Sequence, residues 1–211
     1  MPVAADPTPL YPETVTTDRL RLRRFRLDDG DWYAAMNADA DVMRFIGRGV
    51  PLTRAESDQS LAGIEAHWAD HGFGLWAAER RDNDEPIGFI GLSAPSFLPE
   101  VLPAVEVGWR LARPHWGHGF ATEGARVAIG HGFTTLGLAR LVSITVHDNL
   151  SSQRVMAKLG LTWDRAAVHP QLGAIVEVRA ISRSAWEAKQ KAATGSPTKA
   201  TGDASVAGPR R

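Results

Sequence analysis

Between residues 105 and 146 the chain runs strand, glycine turn, helix, strand, and few architectures accommodate that order. Val105, Val107, Trp109 and Leu111 alternate with Glu106, Gly108 and Arg110, the period of a strand with one apolar face. Glu106 falls on the opposite face. After Gly119, the residues Ile129, Phe133 and Leu136 recur at spacings of four and three, which marks one side of a helix. Gly137 then stands where a helix C-terminal cap is expected. Leu141 to Val146 is a β-rich run. Two strands separated by a helix, with no hairpin between them, form a βαβ crossover whose strands lie parallel in one sheet.

Other elements gather around this unit. Leu20 and Leu22 alternate with their neighbours as a first strand, and Asp28 and Asp29 offer caps to a helix containing Trp32, Tyr33 and Met36. Thr53 and Glu56 have capping-box spacing, and Leu61, Ile64 and Trp68 follow on one helical face. Leu75–Glu79 and Ile87–Leu92 are short apolar runs separated by Asp82, Asn83 and Asp84, which is hairpin chemistry. Val155, Met156 and Leu159 mark a short helix stopping at Gly160, and Ile175 to Ile181 reads as a final strand. The fold class is mixed α/β. Before about Thr16 the four prolines indicate an extended arm (1–16), and the apolar-poor stretch 191–211 reads as a disordered tail. One folded domain is expected over 17–190.

Composition narrows the function classes. The 24 basic residues equal the 24 acidic ones, so nothing points to a nucleic-acid partner. No apolar run approaches the roughly 20 residues of a membrane span, and Met1 to Pro12 lacks the order of a signal peptide. The expected setting is therefore the cytoplasm, away from membranes. Cysteine is absent, which excludes disulfides, thiolate metal sites and a cysteine nucleophile. None of His115, His118 and His147 is paired at a ligand spacing such as i, i+4 on a helix, and no metal is expected; they read as solvated or near a cofactor. Trp32, Trp68 and Trp76 are candidates for an acceptor pocket, although tryptophans at amphipathic positions more often pack in the core.

The most informative segment is Trp116-Gly117-His118-Gly119-Phe120-Ala121-Thr122. Small residues let the backbone approach a ligand, and the N–H groups opening the next helix carry the positive end of its dipole. That combination suits a diphosphate, with a plain glycine turn as the competing reading. No Gly-Lys-Ser/Thr follows, which excludes a Walker loop, and Thr122 replaces the third glycine of a dinucleotide fingerprint.

These residues carry a resemblance to the GNAT acetyltransferase superfamily, and within it to the RimJ/RimL-like branch of ribosomal-protein N-terminal acetyltransferases. The family pattern Gln/Arg-x-x-Gly-x-Gly/Ala maps onto Trp116, Gly119 and Ala121, with Trp116 replacing the usual first residue. A second matching segment, Asn149-Leu150-Ser151-Ser152, is followed by Lys158-Leu159-Gly160-Leu161. The resemblance implies a mostly antiparallel sheet flanked by helices, its central parallel pair splayed around a CoA site. It implies acetyl-CoA as co-substrate, held by Gly117, His118, Gly119, Phe120, Ala121 and Thr122, with Trp109 and Leu111 beside the pantetheine and Asn149 as a further contact. Many relatives place a tyrosine acid seven residues after the asparagine; here that residue is Met156. The branch resemblance assigns the acid role to Ser152 instead.

Transfer from a thioester needs a neutral amine, a polarised carbonyl and a proton for the thiolate. Glu106, on the strand running into the loop, is the candidate base, directly or through water; an exposed strand carboxylate is the alternative. Asn149 suits a helix N-cap as well as a cofactor contact. The expected activity is direct transfer of acetyl to a primary amine, with a protein or peptide N-terminal α-amine favoured. The alternatives are a polyamine or aminoglycoside acceptor and a non-catalytic acyl-CoA-binding module. A monomer and a homodimer are both compatible.

Overall fold

A computed structural model describes residues 11–170 and 172–194. The chain opens with β1 (Thr14–Thr16) and β2 (Leu20–Arg23), then α1 (Gly30–Asn37), α2 (Ala40–Met43) and the long α3 (Arg54–His71). A hairpin of β3 (Leu75–Arg80) and β4 (Pro86–Ser93) leads to β5 (Glu106–Leu111), α4 (Phe120–Thr134) and β6 (Arg140–Val146). The C-terminal part adds α5 (Leu150–Leu159), β7 (Thr162–Val168), β8 (Ile175–Ser182) and α6 (Arg183–Thr194). The eight strands form one sheet in the order β1-β2-β3-β4-β5-β6-β8-β7. Every neighbouring pair is antiparallel except β5 and β6. This is the mixed sheet with one parallel pair that the sequence implies. No helix among the described residues is long and apolar enough to cross a membrane.

The pleat assigns the two faces. Ile90 stands opposite Trp109 and Leu92 opposite Val107, while Phe89 stands opposite Arg110. The first set faces α4, where Ala125, Ala128, Ile129 and Phe133 are buried. A side chain added at Gly124 would meet Ile90 Cδ1 at 2.5 Å. The absence of one lets α4 lie close on the sheet. The opposite face carries α1 and α3. There Tyr33 approaches the Phe89 ring at 6.1 Å, and Arg23 forms buried ion pairs with Asp29 and Glu79. α3 begins with the expected capping box between Thr53 and Glu56 and ends at Gly72 in the left-handed region.

Sequence periodicity missed β1, β7 and α6. β1 is three residues long, β7 is a mostly exposed edge strand with no clean alternation, and α6 contributes only a partial apolar stripe, including Trp186 packed 5.4 Å from Phe133. The last helix runs to Thr194, past the boundary placed at 190. Residues 1–10 of the arm and 195–211 of the tail lie outside the described residues. The remainder of the arm reaches inward. Tyr11 is fully buried and stacks on Trp76 with centroids 4.5 Å apart, while Trp76 Nε1 donates to the Pro12 carbonyl at 2.9 Å. Trp68 and Trp76 are core residues, and Trp32 stacks on Phe25.

The Tyr11 hydroxyl is buried without a hydrogen-bond partner among the described residues, which costs the folded state. Tyr11→Phe is therefore expected to hold or raise the melting temperature, whereas Tyr11→Ala should lose about 3–5 kcal/mol through the cavity it leaves. Thermal and denaturant unfolding of the two variants measure both signs.

Candidate active site

β5 pairs with β4 along its whole length, from Glu106 opposite Ser93 to Leu111 opposite Gly88. With β6 it pairs at a single register position, Glu106 opposite Val142, supported by the Val142 N–H donating to the Val105 carbonyl at 3.0 Å. Past that point the strands part. Val107, Trp109 and Leu111 carry their backbone groups on the side that has lost its neighbour, since backbone direction alternates along a strand. The next amide on β6, that of Ile144, donates instead to Glu106 Oε1 at 3.1 Å. A side-chain carboxyl thus stands at the apex of the split and replaces a backbone acceptor.

Glu106 is buried, with 9 % of its surface exposed, so the reading of an exposed strand carboxylate falls. Burial pushes its pKa up to about 8, against a smaller opposing effect of the Ile144 hydrogen bond. A buried carboxyl poised near neutral pH and aligned with a strand cleft has the properties of a general base.

At the far end of β5 the loop turns into α4. Gly117 and Gly119 have φ of 80° and 84°, a region disfavoured for side-chain-bearing residues. The first backbone bond of α4 runs from the Glu123 N–H to the Gly119 carbonyl at 3.0 Å, and Gly119 supplies no side-chain cap. The N–H groups of Phe120, Ala121 and Thr122 therefore have no partner within the helix. A Cβ at Gly119 would point toward Arg19 at an ordinary 3.5 Å, so the glycine is required by its φ rather than by crowding. The Phe120 ring is buried, with the Arg19 guanidinium 4.7 Å above it, leaving only its backbone to contact a ligand. The side chains of Trp109 and Leu111 likewise pack into the core. Trp116 donates its indole N–H to the Leu111 carbonyl at 2.7 Å and thereby ties the loop to the end of β5. His118 is exposed on the loop, and its carbonyl accepts from Arg19 at 2.9 Å.

A surface cavity of about 360 Å³ lies against this helix end, lined by Gly119, Thr122, Arg19, Arg126 and Lys158 among others. Arg19 is neutralised by Glu123 at 2.6 Å. The side chains of Arg126 and Lys158 form no hydrogen bond or ion pair among the described residues. Open amides, a helix dipole and three cations against the two carboxylates Asp18 and Glu123 suit a multiply charged phosphate ligand. Of these three cations only Lys158 is marked in the sequence, as part of the second matching segment and without a role. Thr122 and Arg126 do share a helical face at spacing four, but Arg19 arrives from the distant turn between β1 and β2.

The second predicted segment follows β6. Asn149 Oδ1 accepts the Ser152 N–H at 3.1 Å and caps α5, so the helix-cap reading is realised, and the Asn149 amide nitrogen keeps its donors. Ser152 is half-buried on the first turn of α5, and its hydroxyl has no partner among the described residues. Met156 is buried in the core one turn later and takes no part in the cleft. The histidines separate. His115 is buried, with Nε2 3.5 Å from Glu85, which corrects its reading as solvated. His147 is exposed and pairs with Glu177 at 2.7 Å. No group of three potential ligands among the described residues is placed to hold a metal ion.

Comparison with known proteins decides the family. An acetyltransferase (GNAT) domain model matches residues 19–162. The chain belongs to the GNAT acetyltransferases. It is 34% identical over 148 residues to the uncharacterised N-acetyltransferase YoaA of Bacillus subtilis, covering 68% of this chain and 80% of that protein. An acetyltransferase of Agrobacterium tumefaciens strain C58 superposes with a TM-score of 0.70 at 28% identity, over 81% of this chain and 94% of the other. RimL, a ribosomal L7/L12 α-N-protein acetyltransferase solved with coenzyme A, superposes with a TM-score of 0.66 over 82% of this chain and 99% of its own, at 16% identity. That last likeness carries the fold alone. This GNAT protein is thus an acyl-CoA N-acetyltransferase.

Glu106 has a consequence for stability. Its folded pKa of about 8 lies above the ordinary carboxylate range, so its favourable contribution is complete below about pH 4.3 and is lost as the pH rises through 8. Glu106→Gln keeps an oxygen for the Ile144 amide and cannot ionise. It is expected to melt near the wild type at pH 5 and several degrees above it at pH 8. A pH series of melting curves tests the sign.

Proposed function

We propose that the protein transfers acetyl from acetyl-CoA directly to a primary amine, the favoured acceptor being the α-amine of a protein or peptide N-terminus. The observation that carries this reading is the single strand with a phosphate-suited helix end beyond one terminus and a buried carboxyl at the other. The Phe120, Ala121 and Thr122 amides hold the diphosphate, with Gly117 and Gly119 giving the backbone its close approach and Arg126 and Lys158 offering positive charge. The exposed backbone edge of Trp109 and Leu111 runs beside the pantetheine, and Asn149 supplies a donor from α5. Bound acetyl-CoA supplies an activated thioester.

Glu106 removes the proton that the amine must lose, directly or through one water. A base near 8 matches an α-amine of ~7.7–8.0, whereas a lysine at ~10.4 would make the same transfer more than two units uphill. Ser152, with an uncommitted hydroxyl at the start of α5, donates a proton to the departing thiolate in place of the tyrosine that Met156 lacks. With no cysteine in the chain, transfer uses another nucleophile or goes directly to the amine, and the family resemblance favours the direct route.

Initial-rate kinetics are expected to give intersecting lines, and parallel lines would point to a covalent route. Ser152→Ala should reduce kcat about 10- to 100-fold while leaving the acetyl-CoA thermal shift intact, because its role is confined to the transition state. The wild-type kcat/KM should rise with pH and level off above about 8. In a thiol-release assay, free-terminus peptides should outperform blocked lysine peptides, polyamines and aminoglycosides. Turnover of the small polycations alone would refute the acceptor assignment.

A further inference from the structure

Glu106, Gly108 and Arg110 alternate along β5 and therefore share the face turned toward α1 and α3. Between the two charged residues that face is open. A Cβ built on Gly108 meets no atom within 4 Å, and the residue is outside the positive-φ set, so neither crowding nor backbone conformation calls for glycine there.

Arg110 borders this opening in an unusual state for an arginine. Its guanidinium lies 5.1 Å over the Phe89 ring, and Nη1 donates to Asn37 Oδ1 at 2.7 Å. Its Nε is buried and bonds to nothing among the described residues, and no carboxylate lies within ion-pair distance. Arg23, the other arginine embedded on this face, is instead held between Asp29 and Glu79. Burial without a counter-charge lowers the Arg110 pKa, the direction expected of a cation short of an anion. Its orientation is nonetheless fixed. Asn37 is fully buried and donates in turn to Ser57 Oγ at 3.4 Å, which links α3, α1 and β5 through one chain of polar groups. A desolvated, oriented guanidinium with spare donors is a preformed carboxylate receptor.

We propose that Arg110 selects acceptors that carry a carboxylate on the same molecule as the reacting amine, the amine lying at Glu106 and the carboxylate at Arg110 across the gap above Gly108. This rests on the acyl-transfer reading above and names its acceptor class. Four strand rises separate the two residues, about 13 Å between Cα atoms, with Glu106 turned to the Ile144 amide of β6 and Arg110 lying over Phe89 of β4. An α-amine followed by Asp or Glu at the second or third position reaches over a gap of this order. A polyamine would instead bring positive charge against Arg110.

The test measures kcat/KM by thiol release for matched peptides with Asp or Glu, or the isosteric Asn or Gln, at positions 2 and 3, together with free glutamate against glutamine. Wild type is expected to prefer the acidic member of the peptide pairs by about 10- to 100-fold, the range set by a charged hydrogen bond. Arg110→Gln should bring that ratio near one while leaving turnover of the amide peptides within a few-fold, and Arg110→Lys should restore part of the preference. An unchanged acetyl-CoA thermal shift confirms that each variant is folded. No acid preference in the wild type, or an equal loss on both members of a pair in Arg110→Gln, would overturn the proposal. A preference shown by glutamate alone, and lost in Arg110→Gln, would uphold Arg110 and sink the peptide acceptor. Peptide turnover with no acid preference would do the reverse.

Discussion

Where β5 and β6 part, an amide that a continuous sheet would satisfy with a carbonyl is satisfied by the carboxyl of Glu106. Much of the molecule follows from that substitution. An unpaired N–H at the buried apex would cost about 1–3 kcal/mol, so the split needs an acceptor that does not belong to the neighbouring strand. A glutamate on the outward-alternating side of β5 provides it without closing the cleft. The same placement removes the carboxyl from water and raises its pKa. One contact thus keeps the strands apart and leaves a proton acceptor at their junction.

The rest of the architecture keeps this junction stiff. β4 pairs with β5 throughout, α4 lies close on both by way of Gly124, and Trp116 ties the glycine loop to Leu111. Glu123 reinforces the helix end from the other direction, accepting from the Thr17 hydroxyl at 2.6 Å and the Arg19 backbone at 2.9 Å. The hinge-like possibilities of a glycine-rich loop are thereby reduced, and the first-turn amides of α4 keep a fixed direction. Preorganised donors of this kind need no rearrangement when charge arrives.

The βαβ unit was legible because two periods, two and three to four, succeed one another within about forty residues, and the glycines of the loop stand where only a left-handed backbone fits. Glu106 could be named from its place on that unit, and Asn149 and Ser152 from the family resemblance. Their environments could not. The burial of Glu106 depends on how far β6 diverges, and the setting of Arg110 depends on Asn37 of α1 reaching it, both long-range facts with no local signature. Tyr11 shows the same limit: prolines around it suggest an arm, while its ring belongs to the core. β7 escaped notice because an edge strand with one buried residue has no periodicity to read.

All the groups assigned to the acyl donor lie between Glu106 and Lys158, apart from Arg19, while the face of β5 that carries Glu106 is roofed by α1 and α3 from the N-terminal half. In the proposed function both substrates meet β5, and the acceptor alone also meets helices of the N-terminal half. In evolutionary terms such a division permits drift: helices α1 to α3 can exchange residues, and with them the amine that is accepted, while the inherited donor half stays under constraint. A lineage built this way would diversify by acceptor long before it changed its chemistry.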